Sequence, residues 1–279
     1  MVQFEKIAVV SRLSKSEHLP KYQRVIDLLI EKYNLEVYLN TNFAKIMNHS
    51  KAISMEQLKD FDLVIAFGGD GTILWTSRYA EDVPIFGINA GYLGFLTTAT
   101  LNSSEIGLDR VMNGDIVYDH CMRLKVALNG KELPSALNES YTTNKFSAHI
   151  CQLELKVNDF VLGSHLLDGI LVSTPTGSTA YSLSAGGSII QHSLAAMQIV
   201  PVNSVSRRIR PFVVPGEFNI TITVPDIFKG DVIVINDGVL EGQLKHDSIL
   251  KITKAPIKTV FVRFPDYGFF KRLQDKLDF

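Results

Sequence analysis

Asp62-Leu63-Val64-Ile65-Ala66-Phe67-Gly68-Gly69-Asp70-Gly71-Thr72-Ile73-Leu74-Trp75 decides the fold. Residues 62–67 form a short apolar run ended by glycines, which predicts a buried strand. A helical pattern follows over residues 72–80. Working upstream, residues 6–11 read as another buried strand. Tyr22, Val25, Ile26, Leu29 and Tyr33 recur behind it at helical spacing, with Pro20 suited to a first helical turn. Residues 35–39 and 84–88 are strand-like, and residues 55–60 and 103–112 are helix-like. Strands alternating with helices predict a doubly wound parallel sheet.

Beyond Gly114 the pattern changes. Residues 118–128, 151–157, 169–173, 219–224, 231–235 and 249–253 are strand-like and separated mostly by turns, which predicts a mainly β second domain. One helix-compatible insert falls at residues 178–184. A last strand, 259–264, and a polar helix, 266–278, fit either a closing of the β domain or a return to the first. We favour the return. The expected division is an α/β domain over residues 1–116, rejoined by 257–279, and a mainly β domain over 117–256.

Composition narrows the function. The chain has 279 residues, 46% hydrophobic and 20% charged, which suits a globular protein of about two domains. Lys and Arg number 28 against 29 Asp and Glu, so no global charge points to nucleic acid or an anionic membrane. The two cysteines, Cys121 and Cys151, form neither a disulfide framework nor a zinc cluster, and a reducing cytoplasm is expected. No apolar run reaches the roughly 18 residues of a membrane span, and the N-terminus lacks a signal-type apolar core. The histidines show no paired metal-ligand spacing, so no protein-built metal centre is expected.

Three segments carry chemistry. Glycines at a strand's carboxyl end let backbone N–H groups approach phosphate, and the next helix adds its positive end. Residues 68–72, GGDGT, therefore read as a phosphate loop, although they match neither the P-loop nor the dinucleotide fingerprint. A carboxylate among phosphates repels them unless it binds magnesium or takes a proton from an attacking hydroxyl, so Asp70 reads as a working group. The plain alternative is a tight turn with Asp at a favoured position. Residues 87–96, GINAGYLGFL, again follow a strand and would face the same crevice; relief of backbone crowding explains these glycines as well. Residues 174–187, TPTGSTAYSLSAGG, offer hydroxyls and one aromatic to a ligand with ribose and phosphates. Thr179, Tyr181 and Ser184 are the evident donors, with Asp168 as acceptor. A Ser/Thr-rich cap and turn is the bland alternative.

Asn138-Glu139, at the end of a strand-like stretch, reads alone as a surface turn before it reads as a ribose bracket. Arg207, Arg208 and Arg210 form a dense basic cluster that suits a phosphate donor or a solvated or subunit-facing patch.

Together these residues resemble the NAD kinase family: GGDGT, GINAGYLGFL, Asn138-Glu139, DGILVSTPTGSTAYSLSAGG at 168–187 and RPFVVP at 210–215 occur in family order. GGDGT alone is shared with phosphofructokinases and with diacylglycerol and sphingosine kinases; TPTGSTAY separates NAD kinases from them. The resemblance implies phosphorylation of the 2′-hydroxyl on the adenosine ribose of NAD, with ATP or polyphosphate as donor and Mg²⁺ carried on it. It implies an N-terminal α/β domain, a C-terminal β domain, NAD bound between them, and a homodimer or homotetramer. By motif, Asp70 is the general base and Gly71 shapes the phosphate loop. Asn138, Glu139, Asp168, Thr179, Ala180, Tyr181 and Ser184 line the NAD site, and His149 stands at a position that is often basic in the family. Two departures stand out. Asp237-Gly238-Val239 replaces the frequent D-G-Q, and residues 197–208 are longer and more basic than the pattern. The rivals are a lipid or sugar kinase using the same loop and a non-catalytic dinucleotide sensor.

Overall fold

The computed structural model describes residues 4–12, 16–91, 93–146, 148–206 and 209–277. Tyr92, Arg207 and Arg208 therefore lie outside the described residues. The chain divides into two compact units, residues 1–120 with 259–279, and residues 121–258.

Unit 1 begins with β1 (Lys6–Ser11), α1 (Leu19–Asp27), β2 (Glu36–Asn40), α2 (Thr41–Met47) and β3 (Ala52–Ile53). It continues with β4 (Leu63–Phe67), α3 (Asp70–Ser77), β5 (Ile85–Asn89), β6 (Ala99–Thr100) and α4 (Ser104–Met112). The sheet order is β3-β2-β1-β4-β5, all parallel, with β6 also parallel on β5. Every residue of β4 is buried, as its unbroken apolar run requires of a strand covered on both faces. The strand order reverses at β1 and β4, and GGDGT leaves β4 there, the place where open parallel sheets bind ligands. Tyr22 stacks on Phe67 with ring centroids 4.5 Å apart, and Phe43 packs edge-on against both, fixing the strand end that launches the loop.

Two local readings change. Helix α3 starts at Asp70, two residues before the periodicity expected, because Gly69 takes the extended N-cap conformation and an acid is favoured at a helix's positive end. Residues 55–60 form a 3₁₀ helix, entered through a capping box of Ser54 and Gln57.

Then β7 (Val117–Leu128) carries the chain into unit 2, which holds β8 (Lys131–Ala136), β9 (Glu139–Asn144), β10 (Cys151–Val157), β11 (Phe160–Leu167) and β12 (Gly169–Ser173). After α5 (Tyr181–Ser184) come β13 (Ala196–Val202), β14 (Phe212–Pro215), β15 (Ile220–Thr223), β16 (Val232–Asn236), β17 (Val239–Leu244) and β18 (Ile249–Arg263). Strands β14-β13-β12-β9-β16-β17 form one antiparallel sheet. Strands β11-β10-β15 and the start of β18 form another. Leu153, Leu155, Ile222 and Ile252 of the second sheet share one buried cluster with Ile170, Val172, Ile199 and Val234 of the first.

The expected strands at 249–253 and 259–264 are a single strand, β18. Its early part alternates buried with exposed residues, and its last five are all buried, so one strand serves an antiparallel edge and then, at Phe261 on Ile85, a parallel sheet. The chain closes with α6 (Phe269–Leu277) in unit 1. Strands β9, β11, β13, β14 and β17 escaped the hydrophobic pattern. Polar β9 (ESYTTN) and largely exposed β11 show why: neither offers the apolar alternation that marks a half-buried strand. Among the described residues no helix is long and apolar enough to cross a membrane.

Replacing Phe67 by Ala empties the aromatic cluster under the loop. Denaturant unfolding should report a loss of about 3–5 kcal/mol; a loss below about 1 kcal/mol would mean that the cluster relaxes without cost.

Candidate active site

In unit 1 the site is built by two glycine-rich turns and a carboxylate. Gly68 has φ +149°, and a Cβ there would lie 2.3 Å from Thr72 Oγ1, so only glycine fits. Gly71 is exposed with open space around its Cα, which leaves the loop's backbone accessible to a phosphate. Asp70 is half-buried. Its Oδ2 accepts from Phe95 N–H at 2.8 Å and its Oδ1 from Leu96 N–H at 3.0 Å. A Cβ on Gly94 would sit 1.9 Å from Asp70 Oδ1, so that glycine gives the carboxylate room to reach the amides. Thr97 Oγ1 in turn accepts from Gly94 N–H at 2.7 Å. The second glycine segment is thus the cradle of Asp70. Arg12, exposed after β1, places its guanidinium 5.5 Å from the ring centroid of Trp75 on α3, a cation beside the phosphate loop that the sequence motifs did not single out.

In unit 2 one face of the β9–β12 pair carries Glu139, the one sequence-predicted site residue that lies within these two strands. Glu139 stands opposite Ser173, Tyr141 opposite Leu171 and Thr143 opposite Gly169. At about 3.4 Å per residue this strip is about 14 Å long. The other face, Ile170 and Val172, belongs to the core. Asn138-Glu139 does not close a strand, as the sequence reading had it, but opens β9.

Asp237 fixes that corner. Its carboxylate accepts the backbone N–H groups of Leu137 at 2.7 Å, Asn138 at 2.8 Å and Glu139 at 3.2 Å. Asp237 and Gly238 both have positive φ, +50° and +78°, the requirement of the tight turn joining β16 to β17. From the other side, Asn138 C=O accepts from Thr174 N–H at 2.9 Å, and a Cβ on Gly177 would lie 2.1 Å from that oxygen. TPTG therefore sits directly on Asn138.

Glu139 is 9% exposed, and its Oε2 has no hydrogen-bond partner. Burial first, and the nearby Asp237 charge second, push its carboxyl up to about 8. Tyr141 meets Tyr181 edge-on with centroids 5.4 Å apart, and Gly169 makes room for the Tyr141 ring, which its Cβ would strike at 2.5 Å. At the far end Asp168 Oδ2 accepts from Asn203 Nδ2 at 2.8 Å. His149 lies exposed in the loop after β9, at this same end, with its ring against Phe146.

The 174–187 segment divides by burial. Ser178 and Ser182 are fully buried and bond to Ile190 and Gln198, while Thr179 and Ala180 are partly exposed and Tyr181 and Ser184 exposed. Its hydroxyls thus serve two purposes, holding the turn and facing solvent. Arg210 is exposed and lines a cavity of about 950 Å³ with Gln152, His165 and Phe212, none of which belongs to the strip.

Sequence reasoning missed Asp237 as a clamp, Tyr141, Thr143 and Asn203 on the strip, and the Phe95 and Leu96 amides. Asp-Gly after an apolar run signalled the turn; nothing local signalled that its carboxylate would bind a segment about a hundred residues away.

Comparison with known proteins agrees with this geometry. Residues 6–116 match the ATP-NAD kinase N-terminal domain and residues 137–264 the ATP-NAD kinase C-terminal domain. An NAD kinase of Methanosarcina acetivorans is 36% identical, with 98% of each chain covered. The crystal structure of an NAD kinase from Archaeoglobus fulgidus in complex with ATP superposes with a TM-score of 0.77 at 25% identity, covering 98% of this chain and 97% of that one. Yeast NADH kinase complexed with NADH shares the fold, with a TM-score of 0.90 at 22% identity over 99% of this chain and 88% of that one. A doubly wound unit with its glycine loop at the switch point, a mainly β unit and two family models covering most of the chain leave one assignment: this chain belongs to the NAD kinase family.

Proposed function

We propose that this NAD kinase moves the terminal phosphoryl group of ATP, or of polyphosphate, to the 2′-hydroxyl on the adenosine ribose of NAD, with Asp70 as general base. The observation that carries the reading is a carboxylate at the first turn of α3, inside a glycine loop, with both oxygens steered by backbone amides. The 2′-oxygen gives its proton to Asp70 and forms the new P–O bond, while the bond from the transferred phosphorus to the ADP oxygen breaks. Such a transfer asks the protein mainly for placement and charge compensation. Magnesium arrives on the donor's phosphates as part of the substrate. Gly71 lends an open backbone to those phosphates.

Unit 2 supplies the dinucleotide contacts. Asn138 and Glu139 at one end, the Tyr141–Tyr181 pair in the middle, and Asp168 and His149 at the other form the strip. Thr179, Ala180 and Ser184 border it from the covering segment. With its carboxyl raised to about 8, Glu139 is protonated at neutral pH and donates a hydrogen bond to a ribose or amide oxygen. Two further readings accompany this one. Self-association to a dimer or tetramer is supported by the edge strand β11, which exposes Phe160, Val161, Leu162 and Leu166. A reducing cytoplasm is supported by Cys121 and Cys151, both buried thiols outside any disulfide.

Asp70→Asn keeps the shape of the side chain but removes the base and opposes its amide to one of the two N–H donors. Turnover, followed as NADP through an NADP-specific dehydrogenase, should fall at least about 100-fold, with NAD still raising the melting temperature; full turnover would eliminate the role. The pH dependence of stability tests Glu139. A carboxyl whose folded pKa of about 8 exceeds its ordinary value near 4.5 stabilises the fold below that ordinary value. Each pH unit upward then costs about 1.4 kcal/mol until the folded pKa is passed. Glu139→Gln should therefore flatten the decline in unfolding free energy between about pH 5 and 8 and be more stable than the parent at pH 8. Parallel profiles for the two proteins would refute the buried neutral acid.

A further inference from the structure

Arg263, at the end of β18, is only 3% exposed, yet no step of the transfer uses its charge. A buried guanidinium is costly unless its donors are satisfied, and here they are spent on one segment. Nη1 donates to Leu96 C=O at 2.8 Å, Thr97 C=O at 3.2 Å and Thr98 Oγ1 at 3.2 Å, and Nη2 to Phe95 C=O at 3.4 Å. Nε faces Asp119 Oδ2 at 3.5 Å, a carboxylate that also lies 3.6 Å from Arg272. Thr98 Oγ1 passes its own proton to Val262 C=O at 2.7 Å, tying the same segment to β18 a second time.

The segment gripped by Arg263 is the one that holds Asp70. The peptide group whose oxygen belongs to Phe95 carries the N–H of Leu96, and that N–H donates to Asp70 Oδ1. Arg263 and Asp70 thus hold opposite ends of one peptide. A cation at the carbonyl end fixes the plane of the group and polarises it, which strengthens the bond at the other end. Lysine brings the same charge but a single ammonium that cannot reach four acceptors in a fork.

We propose that Arg263 is a positioning residue for phosphoryl transfer, setting the direction of the Asp70 carboxylate through the Phe95–Thr98 turn. The proposal rests on the reading of Asp70 as base.

Arg263→Lys, Asp70→Asn and the double variant, compared with the parent, form the test. Arg263→Lys should lower kcat about 100-fold, the effect of a small misplacement of a catalytic group, with KM for NAD and ATP within about two-fold of the parent. In the Asp70→Asn background the same change should cost nothing more, because its route to the reaction is already gone. An equal loss in both backgrounds would make Arg263 merely structural, and parental kcat in Arg263→Lys would overturn the proposal outright. Should Asp70→Asn itself keep full turnover, the base assignment fails, and the Arg263 proposal fails with it. An inactive Asp70→Asn beside a fully active Arg263→Lys rejects the Arg263 role alone. If Arg263→Lys does not fold, Thr98→Val, which removes one acceptor from the fork, decides against Thr98→Ser, which keeps that acceptor and the bond to Val262 C=O and should hold parental kcat. Thr98→Val should lower kcat about 10-fold, roughly one hydrogen bond's worth, and parental kcat would overturn the proposal.

Discussion

A carboxylate at the first turn of a helix, inside a glycine loop, has to be held by its surroundings if it is to keep one direction. Here two backbone amides, those of Phe95 and Leu96, hold Asp70, and much of unit 1 follows from that pair of hydrogen bonds. Amides carry no net charge, so they orient the group without an ion pair. Their approach requires Gly94, which has no side chain to strike the carboxylate. It also requires a helix that begins at Asp70 rather than later, and a buried strand, β4, that delivers the loop to the switch point. The sheet order β3-β2-β1-β4-β5 sets GGDGT after β4 and the cradle after β5, at neighbouring strand ends.

Unit 2 solves a related problem with opposite means. Its acid, Glu139, has a buried Oε2 without a hydrogen-bond partner; burial first and the Asp237 charge second push it toward its neutral form, and Asp237 also pins its backbone. Asp237 accepts three consecutive N–H groups, which orders residues 137–139 as a rigid corner on which TPTG rests. Both carboxylates are buried, and burial pushes both upward; they differ in that Asp237 is bonded to three amides and serves as scaffold, while Glu139 Oε2 has no hydrogen-bond partner.

Much of this was legible in the sequence. Apolar runs ended by glycine marked β1, β4 and β5, and the change of pattern after Gly114 marked the mainly β unit. GGDGT and TPTGSTAY picked out Asp70 and the covering segment because glycine and hydroxyl density are local signals. What stayed hidden depends on long-range pairing. Strand β9 carries polar residues on both faces, Ser140 and Thr142 on the side of Ile170 and Val172 included, so no apolar alternation marks it. Strand β18 looked like two strands because its alternation gives way to a buried run where it changes partners. Arg263 reads as an ordinary charge at the end of a strand until its carbonyl partners, some 165 residues earlier, are seen beside it.

The most direct test of the account is a crystal structure of the chain with NAD and a non-hydrolysable ATP analogue. The 2′-oxygen of the adenosine ribose should lie within about 2.6–3.2 Å of an Asp70 oxygen, the reach a general base requires, and in line with the terminal phosphorus. A 2′-oxygen bonded to some other group, with Asp70 facing only the Phe95 and Leu96 amides, would contradict the claim that this carboxylate takes the proton.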